Sequence, residues 1–305
     1  MVPAGSPCAT LAHATGGVQA RLLPGAGPII IVKAGFAPQG ARGPSDDHMS
    51  SPIKLISTDF DGTLFAEFEM PPVPRSLERL IGDLQQDGTR WVINTGRDMS
   101  SLMESLGRAH LSIQPDYLIL VEREIHVHDG HRYAGLESWN DACTREHVEL
   151  FQQVRPQLPP VLDWINARFN ATIYEDAYSP FCLIADNERE AETIHKHLDG
   201  FCQGIPGLTV MRNDVYARFS HERYNKGTAL AEVARHAGCT AKEVFAAGDH
   251  LNDLPMLSLE HARWLVAPDN AIAQVKEAVR RQNGFVSRRA HGEGVAEGLT
   301  FALGK

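Results

Sequence analysis

Residues 54–64 read Lys54-Leu55-Ile56-Ser57-Thr58-Asp59-Phe60-Asp61-Gly62-Thr63-Leu64, an apolar run that ends in two acids one residue apart and a glycine. The pattern is that of a buried strand with chemistry at its carboxyl end. In open α/β sheets ligands bind just beyond the carboxyl ends of the strands, so acids there stand where a reaction can occur. Gly62 lets the backbone turn back without a Cβ penalty. A plain strand-to-turn junction would also use Asp and Gly.

Three distant segments add to this one. Trp91-Val92-Ile93-Asn94-Thr95-Gly96-Arg97 is a second apolar strand, ending in a hydroxyl and a glycine. Asn225-Lys226-Gly227-Thr228 opens a helix whose apolar positions Leu230, Val233 and Ala234 recur at helical spacing. Val244-Phe245-Ala246-Ala247-Gly248-Asp249-His250-Leu251-Asn252-Asp253 is a third strand, ending in acids and an amide. Taken singly, Thr95, Asp249 and Asp253 read equally well as helix caps and Lys226 as a solvated lysine at a helix start. Their joint occurrence, three at strand ends and one at a helix start, points to a shared site.

Around these segments the chain alternates strand and helix. Residues 74–87 form an amphipathic helix with Leu77, Leu80, Ile81 and Leu84 on one face and Gly88 as its stop. A strand at 91–94, a helix at 100–106 and a strand at 117–121 follow. This is the pattern of an α/β fold with a doubly wound, Rossmann-like parallel sheet. Asp129-Gly130 then signals a hairpin. Residues 136–219 change character: helices at 141–157 and 188–199 separate strands at 172–174, 181–185, 208–211 and 215–219. The expected organisation is a core of 49–135 and 220–305 with an inserted α+β cap at 136–219. After Asp249 the expected elements are a short helix opened by Pro255, a strand at 264–266, and helices from Ala271 and Gly294. Residues 1–48, rich in Ala, Gly and Pro and without an acid before Asp46, read as a disordered extension, a targeting peptide or a misassigned start.

Composition narrows the function. With 305 residues the chain can bury a sizeable core. A net charge of −9 speaks against a nucleic-acid partner. The apolar run at 28–32 is too short to cross a membrane, so no membrane partner is expected. Five scattered cysteines without a CxxC pair favour free thiols in a reducing, cytoplasmic setting. Oligomeric state is not legible.

In the order Asp-Phe-Asp-Gly-Thr, Asn-Thr-Gly-Arg, Asn-Lys-Gly and Gly-Asp-His-Leu-Asn-Asp, the chain from Pro52 onward resembles the haloacid dehalogenase (HAD) superfamily of phosphohydrolases. The resemblance is to the branch with a large cap between the second and third motifs, type IIB, Cof-like. Leu120-Val121-Glu122-Arg123-Glu124-Ile125 is similar to a short motif of sucrose-phosphate phosphatases and their relatives. It departs from that motif at Glu122 and Arg123, where many relatives carry a small residue or Asn-Gly.

The residues themselves allow the corresponding chemistry. Phosphoryl transfer is mostly positioning and electrostatic stabilisation. Asp59 suits a nucleophile that forms an acyl phosphate, and Asp61 a general acid and base for the leaving oxygen and the attacking water. An anionic nucleophile approaching a phosphate needs a counter-charge, for which Mg²⁺ with hard oxygen ligands is the natural candidate. Asp59 and Asp249 would hold it, with Asp253 directly or through water and, as the resemblance implies, the Asp61 carbonyl. Thr95 and Asn252 would donate to the phosphate, and Lys226 would supply a point charge.

The reading is a Mg²⁺-dependent phosphatase acting on a small-molecule phosphomonoester, a sugar phosphate in first place. The alternatives are a phosphotransferase or phosphomutase using the same intermediate and, in another class, a phospho-aspartate receiver module. The cap residues Arg168, Tyr174, Glu175, Tyr178 and Arg212 are candidates for substrate contact, while His126, His128 and His131 read as a solvated hairpin sooner than a zinc site.

Overall fold

The computed structural model describes residues 51–304, so the expected extension over 1–48 lies outside the described residues. The chain begins with β1 (Leu55–Thr58), α1 (Arg75–Gln86), β2 (Arg90–Asn94), α2 (Met99–Ala109), β3 (Tyr117–Leu120), β4 (Glu124–His128) and β5 (Tyr133–Gly135). It continues through α3 (Glu137–Val154), α4 (Pro159–Asn166), β6 (Thr172–Tyr174), β7 (Cys182–Ile184), α5 (Glu188–Cys202), β8 (Leu208–Asn213) and β9 (Tyr216–His221). The last part is α6 (Lys226–His236), β10 (Val244–Ala247), β11 (Trp264–Ala267), α7 (Ala273–Arg281), β12 (Phe285–Val286) and α8 (His291–Ala302).

The larger sheet has the order β12-β11-β10-β1-β2-β3-β4-β5. Its strands are parallel from β12 to β3, and β4 and β5 fold back antiparallel at one edge. From β1 the chain builds outward on one side through β2 and β3, and later on the other through β10, β11 and β12. The carboxyl end of β1 is therefore the switch point at which a crevice opens in a doubly wound sheet.

Helices cover both faces, which is why β1 and β10 are buried along their whole length and read as apolar runs. Leu77 and Ile81 of α1, Leu102 of α2 and Leu299 of α8 pack with Ile56 and Ile93 on one face. Leu230 and Val233 of α6 and Val275 and Val279 of α7 pack with Leu55 and Val92 on the other. The helix α1 places Leu77, Ile81 and Leu84 on one stripe, each worth about 2 kcal/mol of burial. It ends as expected at Gly88, whose φ of 93° is costly for any residue with a Cβ.

The elements from α3 to β9 form a second unit of structure within the same compact body. Its antiparallel sheet runs β6-β7-β9-β8, and Phe181, Leu183 and Phe219 pack with Val154, Ile165, Ile194 and Leu198 from its three helices.

Three local expectations need correction. No helix follows Pro255: Leu251–Asp253 is a single 3₁₀ turn, and Met256 and Leu257 both go under as neighbours instead of at helical spacing. The expected helix over 141–157 ends at Val154, because Pro156 turns the chain through a 3₁₀ step, and Pro159 at the first helical position then opens the unforeseen α4. The two-residue strand β12 was also not foreseen, being too short to show a pattern.

Candidate active site

Asp59 follows β1 directly, is 6% exposed, and its amide donates to the Ala247 carbonyl at 2.9 Å, tying it to the end of β10. Gly62 takes a φ of 76°, and a Cβ there would lie 2.5 Å from Asp249 Oδ2. Glycine is thus required by both the turn and the close approach. Thr63 Oγ1 donates to Asp249 Oδ1 at 2.8 Å, which fixes the acid after β10 against the turn after β1.

Lys226 opens α6 behind its N-cap Asn225, whose side chain accepts from the Gly227 and Thr228 amides at 2.9 and 3.1 Å. The lysine is fully buried and its Nζ donates to Asp59 Oδ1 and Asp253 Oδ1, both at 2.6 Å. Asp253 Oδ2 in turn accepts from the amides of Asp249 and His250 at 2.8 and 2.9 Å, so the loop after β10 is folded around this carboxylate.

Oxygens of Asp59, Asp249 and Asp253 lie within 4.8 Å of one another. One ammonium does not balance three carboxylates. Burial and the Asp253 charge push Asp59 well above the usual carboxylate range despite the opposing pull of Lys226. The same two causes raise Asp249 to about 6. Burial works against the Lys226 charge, but Asp253 and Asp59 outweigh it and hold the lysine protonated. A hard divalent cation fits this donor set: every ligand atom is an oxygen, and its charge would offset the repulsion among them.

The other candidates gather at the same place. Asp61 holds Arg97 in a two-pronged pair, with both contacts at 2.7 Å. Thr95 is buried just past β2 and accepts at Oγ1 from the Arg97 amide at 3.2 Å. Asn252 is buried in the turn after Asp249. Asp59, Asp61, Asp249 and Asn252 line a cleft of about 580 Å³. Asp59, Asp61, Thr95 and Asn252 also line an adjoining cavity of about 160 Å³. Lys226 and Asp253 stand beneath them. All seven candidates from the sequence meet here, because β1, β2 and β10 are adjacent in the sheet and end at one edge.

Comparison with known proteins agrees with this geometry. The profile of the haloacid dehalogenase-like hydrolases matches residues 164–299. A phosphoglycolate phosphatase of Methanothrix thermoacetophila is 38% identical over 133 residues, covering 44% of this chain and 56% of that protein. The alignment thus spans little more than half of that relative. A 5-amino-6-(5-phospho-D-ribitylamino)uracil phosphatase of Bacillus subtilis is 26% identical over 239 residues, 74% of this chain and 87% of that protein. The solved structure of the sucrose-phosphatase from Synechocystis, in complex with sucrose and phosphate, shares the fold at a TM-score of 0.63 with 18% identity, covering 83% of this chain and 98% of that one. Over residues 164–299 the chain is therefore similar to the haloacid dehalogenase-like hydrolases.

Three further residues enter the site that sequence reasoning did not select: Arg97, Glu122 and Arg218. Glu122 sits in the turn between β3 and β4, where Val121 and Glu122 have φ of 44° and 67°. Such values are costly for non-glycine residues, above all for a β-branched one. Its carboxylate accepts from Asn252 Nδ2 at 2.9 Å and from the Arg218 guanidinium at 3.2 Å. Burial alone would raise its pKa, but the Arg218 and Lys226 charges and the Asn252 bond hold it lowered and ionised. Arg218 comes from β9 and donates also to the Val121 carbonyl at 2.6 Å. The available signals were charged residues directly after a buried strand and an arginine inside an apolar one.

The residues expected to touch substrate from the second sheet do not line either cavity. Arg168 lies over Trp164, Glu175 pairs with Arg155, and Arg212 pairs with Glu192. Tyr178 receives Arg123 on its carbonyl at 2.8 Å, and Tyr174 is 39% exposed. From this unit Asn213, Tyr216 and Arg218 line the smaller cavity, and Glu188, Asn213, Asp214, Val215 and Tyr216 line the larger cleft. Strand direction decides this, since the turn between β8 and β9 is what reaches the end of the parallel sheet.

Proposed function

We propose that this protein is a Mg²⁺-dependent phosphatase that hydrolyses a small phosphorylated metabolite, a sugar phosphate, through an aspartyl-phosphate intermediate on Asp59. The observation that carries the reading is Asp59 itself: a buried carboxylate at the switch point, held at 2.6 Å by Lys226, with a second acid two residues on. The names of the relatives support the same class: those of the uracil-derivative phosphatase and the sucrose-phosphatase point to a hydroxylated leaving group, and that of the phosphoglycolate phosphatase to a carboxylated one.

Asp59 attacks phosphorus and Lys226 keeps its oxygen oriented and partly neutralised. Thr95 Oγ1 and Asn252 Nδ2 would donate to the phosphate, and the buried surroundings would strengthen each of these bonds. Asp61, in its protonated form and still accepting from Arg97 at one oxygen, delivers that proton to the leaving oxygen. It then takes a proton from the water that opens the acyl phosphate. Asp59, Asp249 and Asp253 are the residues that would hold Mg²⁺, which when bound supplies the counter-charge that lets two anions approach. Residues 136–219 act as the cap, with the β8–β9 turn closing over the cleft.

The test is phosphate release from a panel of phosphomonoesters with Mg²⁺. Hydrolysis of at least one sugar phosphate is expected, with loss in EDTA and in Asp59→Asn, a substitution that nearly preserves shape. A wild-type rate in either preparation sinks the mechanism.

A further inference from the structure

We propose that Glu122, paired with Arg218, makes the site selective for an uncharged, hydroxylated leaving group and turns away one that carries a second anion. The inference rests on the phosphatase reading above and concerns which esters that site accepts.

The charges decide the sign. Among the described residues, Arg97 and Arg218 are the only lysines or arginines lining the smaller cavity, and each is already engaged, Arg97 by both oxygens of Asp61 and Arg218 by Glu122. The larger cleft is lined by Asp59, Asp61, Glu188, Asp214 and Asp249 and by no lysine or arginine. A metal held by the aspartates would offset the phosphate. A carboxylate or second phosphate on the leaving group would then meet Glu122 with no unpaired lysine or arginine among the described residues that line these two cavities. Like charges a few ångströms apart in a partly buried site cost on the order of tenfold or more in affinity.

Hydrogen bonding points the same way. Arg218 Nε and Asn252 Oδ1 are both buried without a partner, although Glu122 bonds the other end of each of these two side chains. One is a donor and one an acceptor. A hydroxyl group can pair with either kind, whereas a carboxylate can only accept. The left-handed backbone at Val121 and Glu122 shows that the turn bears a conformational cost to hold the carboxylate in this position. Without Glu122, the Arg218 fork would be an unpaired guanidinium beside the phosphate position, the usual receptor for a second anion.

The experiment compares kcat/KM with Mg²⁺ on two matched pairs of esters, 2-hydroxyethyl phosphate against 2-phosphoglycolate and glycerol 3-phosphate against 3-phosphoglycerate. p-Nitrophenyl phosphate serves as a generic ester. Wild type should favour the alcohol of each pair by about tenfold or more, and Glu122→Gln should shrink that ratio at least tenfold, chiefly by lowering KM for the acid. Arg218→Lys retains the charge opposite Glu122 but lacks Nε. It should lower kcat/KM for the alcohols and leave the acids poor, which keeps the proposal testable if Glu122→Gln does not fold. Wild type treating both members of each pair within twofold, or an active Glu122→Gln with the wild-type ratio, overturns the inference while p-nitrophenyl phosphate turnover leaves the phosphatase reading standing. No turnover of any ester overturns both.

Discussion

Replacing Lys226 by methionine keeps most of the apolar stem and removes the one ammonium that bridges two buried carboxylates. In the native chain Nζ is 2.6 Å from oxygens of both Asp59 and Asp253, and those two acids offer oxygens within 4.8 Å of each other. With the ammonium gone, two like charges at that separation repel by about 3 kcal/mol at an effective dielectric near 20. Breaking a buried pair from one side typically costs about 3–5 kcal/mol. That is a large share of the ~5–15 kcal/mol by which a domain is stable. Urea unfolding in EDTA at pH 8 should therefore show Lys226→Met less stable by about 3–5 kcal/mol. The deficit should be smaller at pH 5 than at pH 8, because burial and Asp253 raise Asp59 and acid favours its neutral form. The double variant Lys226→Met/Asp253→Asn removes one of the two like charges and should regain more than half of the loss. A deficit below about 1 kcal/mol at pH 8, or the same deficit at both pH values, would refute the idea that Lys226 neutralises this pair.

Asp61→Asn should cost most kcat with alkyl leaving groups and least with an activated aryl ester, since only a poor leaving oxygen needs the proton; equal losses on both would take the acid role from Asp61. His147 gives a pH prediction away from the site: burial, helped by Arg123, His221 and Arg218, lowers its pKa to about 3, while its Nδ1 bonds the Cys143 carbonyl and its Nε2 accepts the His221 amide. The unfolded chain binds a proton at this residue below about 6.5 and the folded chain does not. Its contribution is full above that pH and falls away toward pH 3, by about 2 kcal/mol between pH 7 and 5. Denaturation midpoints across that range should fall less steeply with acid in His147→Gln than in wild type, and parallel curves would exclude it as the source.

Much of the core was legible because its signals are local. A strand covered on both faces must be buried along its length, and β1, β10 and β2 from Trp91 onward are. An amphipathic helix must repeat its apolar stripe, and α1 and α6 do. Acids, a hydroxyl and a lysine at the ends of such elements were enough to nominate the seven candidates, which lie together. The helix expected after Pro255 failed for a non-local reason: the carboxylate of Asp253 ties two loop amides and the Lys226 ammonium, so the chain there follows that charge and not the helical preference of its own residues.

Sequence alone nominated seven residues for the proposed chemistry and put them at strand ends and a helix start, since both follow from spacing and residue type within a few positions. Which of them meet, and what faces them, was decided by tertiary structure. Glu122 and Arg218 are 96 residues apart. Nothing in the pattern around either says that the turn after β3 and the strand β9 will come together over Asn252. Strand order brings them there, and burial then fixes what they do, because in a site stripped of water an ion pair governs which further charges can enter.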